Sequence, residues 1–106
     1  MEQKLDLIAA MLDSGVITPD QKWELQSLGI VFGDALSQAL DLMWVAVEDE
    51  YGRDPALMMP KTTMLVFPRT VISKRIEDGE KVNVFELFGD FCERVMQLKA
   101  RYSVTD

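Results

Sequence analysis

The sequence predicts an α+β fold, in which a small antiparallel sheet of two or three strands packs against about four helices. Three observations predict it. Apolar residues recur at helical spacing towards both ends of the chain, the middle carries a continuous apolar run rich in strand formers, and short turns separate the pieces that follow. The chain has 106 residues, 48% of them hydrophobic, which suits a single domain over residues 1–106. The expected order is α-α-β-β-β-α-α.

The first two helices are predicted over residues 2–13 and from Thr18 to about residue 40. Thr18 is placed as the N-cap of the second helix, with Pro19 at the first helical position. Gln21 follows three residues after the cap, as in a capping box.

Two glycines lie in the interior of the second helix. Gly29 and Gly33 are four residues apart, and each costs about 1 kcal/mol relative to alanine in a helix. We expect close contact with another backbone to compensate for that cost. A break in the helix near Gly29 is the alternative.

The sheet is predicted between the two pairs of helices. Residues 43–47 form a continuous apolar run, which favours a central, well-buried strand. Residues 52–55 have the composition of a turn, and short strands are expected over residues 56–59 and 62–67. Short connections favour an antiparallel meander. The last two helices are expected over residues 69–78 and from Asn83, whose side chain can cap the helix.

The net charge of −7 opposes binding to nucleic acid and to anionic membranes, so neither is expected as a partner. The chain contains no histidine, the commonest general base near neutral pH and the commonest zinc ligand. No cofactor motif is present, and none is expected to bind. The single cysteine, Cys92, favours a reducing cytoplasm and is interpreted as an inert packing residue.

Residues 41–54 hold five acids and one base, a net charge of −4. The candidate site residues in this segment are Glu48, Asp49, Glu50, Arg53 and Asp54. If the strand geometry persists, Glu48 and Glu50 share a face and Asp49 points the other way. Arg53 and Asp54 are expected in the turn that follows.

Three interpretations of the acidic stretch remain open. The carboxylates could be paired internally, either with Arg53 or with the basic cluster of Arg69, Lys74 and Arg75. They could form a binding surface, or Glu48 and Glu50 could hold a divalent metal.

The leading hypothesis is a non-enzymatic protein-binding domain of the adaptor or toxin-neutralising type, whose acidic patch meets a basic protein surface. The alternative is a protein that binds a divalent metal or a small cationic ligand through the same carboxylates, with hydrolysis left open as an activity. A homodimer is compatible with either hypothesis. One sign of it would be Gly29 and Gly33 facing a second copy.

Separated motifs in the middle of the chain resemble a known family. They are residues 28–36 (LGIVFGDAL), 44–57 (WVAVEDEYGRDPAL), 67–70 (FPRT) and 73–80 (SKRIEDGE). Together they resemble the bacterial domain-of-unknown-function family 3806. The resemblance implies a small bacterial protein, and it brings no activity, cofactor or catalytic residue with it.

Overall fold

The computed structural model describes residues 2–50, 52–59 and 65–103. Four helices and three strands occur in the predicted order, which confirms the α+β class. The elements are α1 (Glu2–Asp13), α2 (Lys22–Leu40), β1 (Met43–Asp49), β2 (Gly52–Met58), β3 (Leu65–Val66), α3 (Val71–Glu77) and α4 (Val84–Ser103).

The three strands form an antiparallel sheet in the order β1-β2-β3, so the predicted meander is confirmed. The pairing of β1 with β2 runs without interruption from Met43 opposite Met58 to Asp49 opposite Gly52. In the described chain, β3 pairs with β2 at two positions, Leu57 with Val66 and Met58 with Leu65. The predicted strand over residues 62–67 is therefore seen at its last part, and residues 60–64 lie outside the described residues.

Two predictions about the sheet are wrong. The run at residues 43–47 belongs to an edge strand, and most of β1 is exposed to solvent. The central strand is β2, whose Ala56 and Leu57 are fully buried. Residues 52–55 are not a turn but the first half of β2. A composition typical of turns misleads here because Gly52, with φ of 122°, begins the strand, and Pro55 is tolerated where no amide hydrogen bond is needed.

The start of α2 also differs from the prediction. The amide of Thr18 donates to the side-chain oxygen of Gln21 at 2.8 Å, as a capping box requires. These residues form a separate turn, however, and the helix begins at Lys22. The cap of α4 is as predicted, because Asn83 Oδ1 accepts from the amide of Glu86 at 3.2 Å.

The hydrophobic core is centred on α2, which packs against α1, α3 and α4. Phe32 is fully buried, and the rings of Phe88 and Phe91 meet it edge-on at centroid distances of 5.8 and 5.7 Å. Leu57 of β2 packs in the same cluster. One face of α2 is thus committed to the core, and another is left for the sheet.

Gly29 and Gly33 allow the chain to approach α2 more closely than any side chain would permit. A Cβ atom on Gly29 would overlap the carbonyl oxygen of Arg69. One on Gly33 would lie 2.5 Å from Pro68 Cγ and 2.8 Å from Trp44 Cη2. The predicted backbone contact is confirmed at Gly29, whereas the atoms close to Gly33 belong to side chains. The alternative of a broken helix is wrong, because α2 is continuous. The glycines face their own chain, so this proposed sign of a homodimer is not observed.

Substitution of Gly29 by alanine should therefore destabilise the protein despite the better helix propensity of alanine. We expect a net loss of about 1–3 kcal/mol in the free energy of unfolding, because the clash is with backbone atoms. Gly89→Ala in α4 is the matched control, since no atom lies within 4 Å of the added methyl group. It should stabilise by about 1 kcal/mol. Urea denaturation measures the free energy of unfolding of both variants. Equal changes for the two substitutions would contradict the close contact of Gly29 with the backbone of Arg69.

Candidate functional site

The hairpin of β1 and β2 places the candidate residues at one end of the sheet. Glu48 and Arg53 are directly opposite each other, and Arg53 Nε lies 3.3 Å from Glu48 Oε1. Their side chains are 72% and 70% exposed. A solvent-exposed ion pair of this kind contributes little to stability, so both groups can exchange this contact for one with a partner.

Asp54 has a different environment from the other acids. Its Oδ1 accepts from Arg69 Nε at 2.8 Å, and Arg69 Nη1 donates to Gln26 Oε1 at 3.1 Å. The guanidinium of Arg69, which precedes α3, thus forms a fork that links Asp54 of β2 to Gln26 of α2. Internal pairing with the basic cluster is thus observed for Asp54, whereas Arg75 donates to the carbonyl of Val71 at 2.9 Å.

Glu48, Asp49 and Glu50 are all exposed. Because β1 ends at Asp49, Glu50 lies outside the strand, and the condition under which Glu48 and Glu50 would share a face is not met. Glu48 and Asp49, as neighbours in the strand, point to opposite faces. Within the described ranges, no group of three or more carboxylate or thiol residues is placed to hold a metal ion.

A groove of about 550 Å³ lies between α2 and the hairpin. Its walls are mainly apolar, with Arg53 and Asp54 among its lining residues. The others are Ile30 from α2, Trp44, Val45 and Ala46 from β1, and Pro55 from β2. The groove therefore joins two of the predicted site residues to an apolar surface and leaves the exposed carboxylates beyond it.

Sequence reasoning missed Ile30 and Pro55 as site residues and placed Trp44 within a well-buried strand. Trp44 is 36% exposed, and its Nε1 donates to Asp34 Oδ1 at 3.4 Å. Ile30 lies four residues before Asp34, on the same side of α2 and away from the buried stripe. An apolar residue off the core stripe was the available signal for a second apolar surface on this helix.

Cys92 is half-buried in α4 and does not line the groove. Burial raises the pKa of its thiol, because removal from water penalises the thiolate. Its packing role remains the interpretation that this environment favours.

Cys92 should consequently react slowly with Ellman's reagent. The thiolate is the reactive form, so at pH 8 the folded protein should react more slowly than a short cysteine peptide. The rate should rise towards a midpoint at higher pH than that of the peptide. A midpoint at or below the peptide value would contradict the burial of the thiol.

The fork of Arg69 should matter more to stability than the exposed pair of Arg53. Arg69→Met is expected to lower the free energy of unfolding by about 1 kcal/mol, because Asp54 and Gln26 both lose a donor. Arg53→Met is the control and should change it by less than about 0.5 kcal/mol. Arg69→Lys should not restore stability, since an ammonium group lacks the planar fork. Equal losses for Arg69→Met and Arg53→Met in urea denaturation would contradict the difference.

Comparison with known proteins bears on the family and not on the chemistry. In the described part of the chain, no helix combines the length and the apolar character needed to span a bilayer. No curated protein and no solved structure is detectably similar to the chain. The family model described as Domain of unknown function (DUF3806) matches residues 4–88 of the 106. The chain therefore belongs to the DUF3806 family.

Proposed function

We propose that the chain is a non-enzymatic protein-binding domain, of the adaptor or toxin-neutralising type. Its binding surface is the hairpin end of the sheet together with the groove beside it. The observation that carries this proposal is the position of exposed acids, Glu48, Asp49 and Glu50, next to an apolar groove. The compartment in this proposal is a bacterial cytoplasm, in keeping with the single cysteine and the family resemblance.

The two parts of the surface supply different components of binding. Exposed charges steer the encounter and set specificity, whereas desolvated apolar contacts supply most of the affinity. Trp44, partly exposed in the groove wall, is the residue type most often found at energetically dominant contacts. The matching partner is a basic protein surface that presents an apolar side chain to the groove.

The acids of the hairpin differ in whether the fold already uses them, and this difference supports a surface open to a partner. Asp54 already has its cation in Arg69, and its carboxylate serves the fold. Glu48 has the exposed Arg53 as its ion-pair partner. A cationic partner can therefore approach Glu48 and Glu50 without first breaking a buried interaction.

Charge reversal tests this function. The chain is immobilised, proteins are captured from a bacterial lysate, and the Kd of each identified partner is measured by calorimetry. Glu48→Lys with Glu50→Lys should weaken the Kd of a basic partner at least tenfold, because two attractive contacts become repulsive. Added salt should weaken wild-type binding.

The matched control is Glu24→Lys with Glu93→Lys, which changes the net charge equally at exposed positions on α2 and α4. It should alter the Kd by less than about twofold, because the substituted residues lie outside the proposed surface. Equal weakening by both double variants would show a general charge effect and contradict the site. Failure to capture any basic protein would contradict the function.

A further inference from the structure

β1 presents an open edge of the sheet. Among the residues that the structure describes, its single neighbouring strand is β2. The strand is seven residues long and largely exposed, and residues 43–47 are apolar. Natural proteins protect such edges because unpaired amides and carbonyls attract another strand.

The other edges of the sheet are protected by recognisable means. β3 has only two residues in the described chain. In the described chain, β3 pairs with only the last two residues of β2. The part of that edge of β2 that β3 leaves uncovered carries Pro55, which has no amide hydrogen to donate, and the charged Arg53. β1 has neither proline nor a basic residue, and its continuous register with β2 contains no bulge. Its only charged residues, Glu48 and Asp49, lie at its last two positions.

Pro55 also fixes which amides of β1 point outwards. Antiparallel pairs alternate between hydrogen-bonded and non-hydrogen-bonded, and Pro55 cannot join a doubly bonded pair with Ala46. Ala46 is therefore in a non-hydrogen-bonded pair, and its amide points away from β2. The same alternation directs outwards the amides of Trp44, Ala46 and Glu48, and directs towards β2 those of Met43, Val45, Val47 and Asp49.

We propose that the outer edge of β1 pairs with β1 of a second copy, antiparallel and about a two-fold axis at Ala46. The three outward positions are symmetric about Ala46, which is also the middle of the strand. In this register Ala46 of one copy lies opposite Ala46 of the other, and Trp44 of each copy lies opposite Glu48 of the other. The pairing extends over all of β1 with about six hydrogen bonds, and two sheets of three strands become one sheet of six.

The charge distribution favours this register for a second copy. Each Glu48 lies opposite Trp44 and not opposite another acid, so like charges are not directly paired. The two copies of Glu48 are four residues apart along the strand direction, a separation of about 14 Å. That distance exceeds the screening length of about 8 Å at physiological ionic strength. Glu50 lies beyond the paired segment in both copies. The dimer does not depend on the proposed partner binding.

The experiment is sedimentation equilibrium of the full chain, whose monomer mass is 12.0 kDa. The wild type should give about twice that mass. Ala46→Pro removes an outward amide and leaves the bonds to β2 intact, so it should give the monomer mass with an unchanged circular dichroism spectrum. Ala46→Lys, which places two ammonium groups at the axis, should weaken dimerisation at least tenfold and covers the case in which the proline variant fails to fold.

Ala10→Lys on the exposed face of α1 is the control for the added charge, and it should remain dimeric. Amide hydrogen exchange gives the register directly. In the dimer, Trp44, Ala46 and Glu48 should be protected as well as Val45 and Val47, and their protection should be lost in Ala46→Lys. A wild-type monomer at about 1 mM would overturn the proposal. So would a dimer that Ala46→Lys leaves intact with the three outward amides exchanging freely.

Discussion

The close approach of residues 68 and 69 to α2 is the constraint on which the rest of the structure depends. Gly29 and Gly33 leave room for the backbone of Arg69 and the ring of Pro68 directly against the helix. Arg69 is thereby held where its guanidinium binds both Asp54 and Gln26. The cost of two glycines in a helix interior is offset by this contact, which links the sheet to the helical layer.

That linkage divides the acids of the hairpin into two sets. Asp54 is used inside the fold, whereas Glu48, Asp49 and Glu50 remain exposed at the end of the sheet. The hairpin, with Trp44, forms one wall of the groove, and Ile30 of α2 lines the other. Partner binding would use the face of the hairpin that lines the groove, whereas strand pairing would use the backbone groups along the outer edge of β1.

Local signals in the sequence predicted the helices, the meander and the contact at Gly29 well. Each depends on periodicity, capping chemistry or the absence of a side chain, which neighbouring residues encode. The edge position of β1 was not predictable in the same way, because an apolar run does not reveal how many strands flank it. The groove was missed for a similar reason: Ile30 and Pro55 are distant in sequence, and only the packing of the hairpin on α2 brings them together.

The most direct test of the central constraint is a nuclear Overhauser experiment on the folded protein in solution. The α protons of Gly33 should show contacts to the indole ring of Trp44 and to the ring protons of Pro68, and those of Gly29 should show contacts to the segment at Arg69. These contacts would place the hairpin against α2 as described. Glycine α protons that contact only α2 itself would show that the hairpin is held in some other way. The close approach of Arg69 to α2 would then not explain why Asp54 is paired inside the fold while the other acids of the hairpin are exposed.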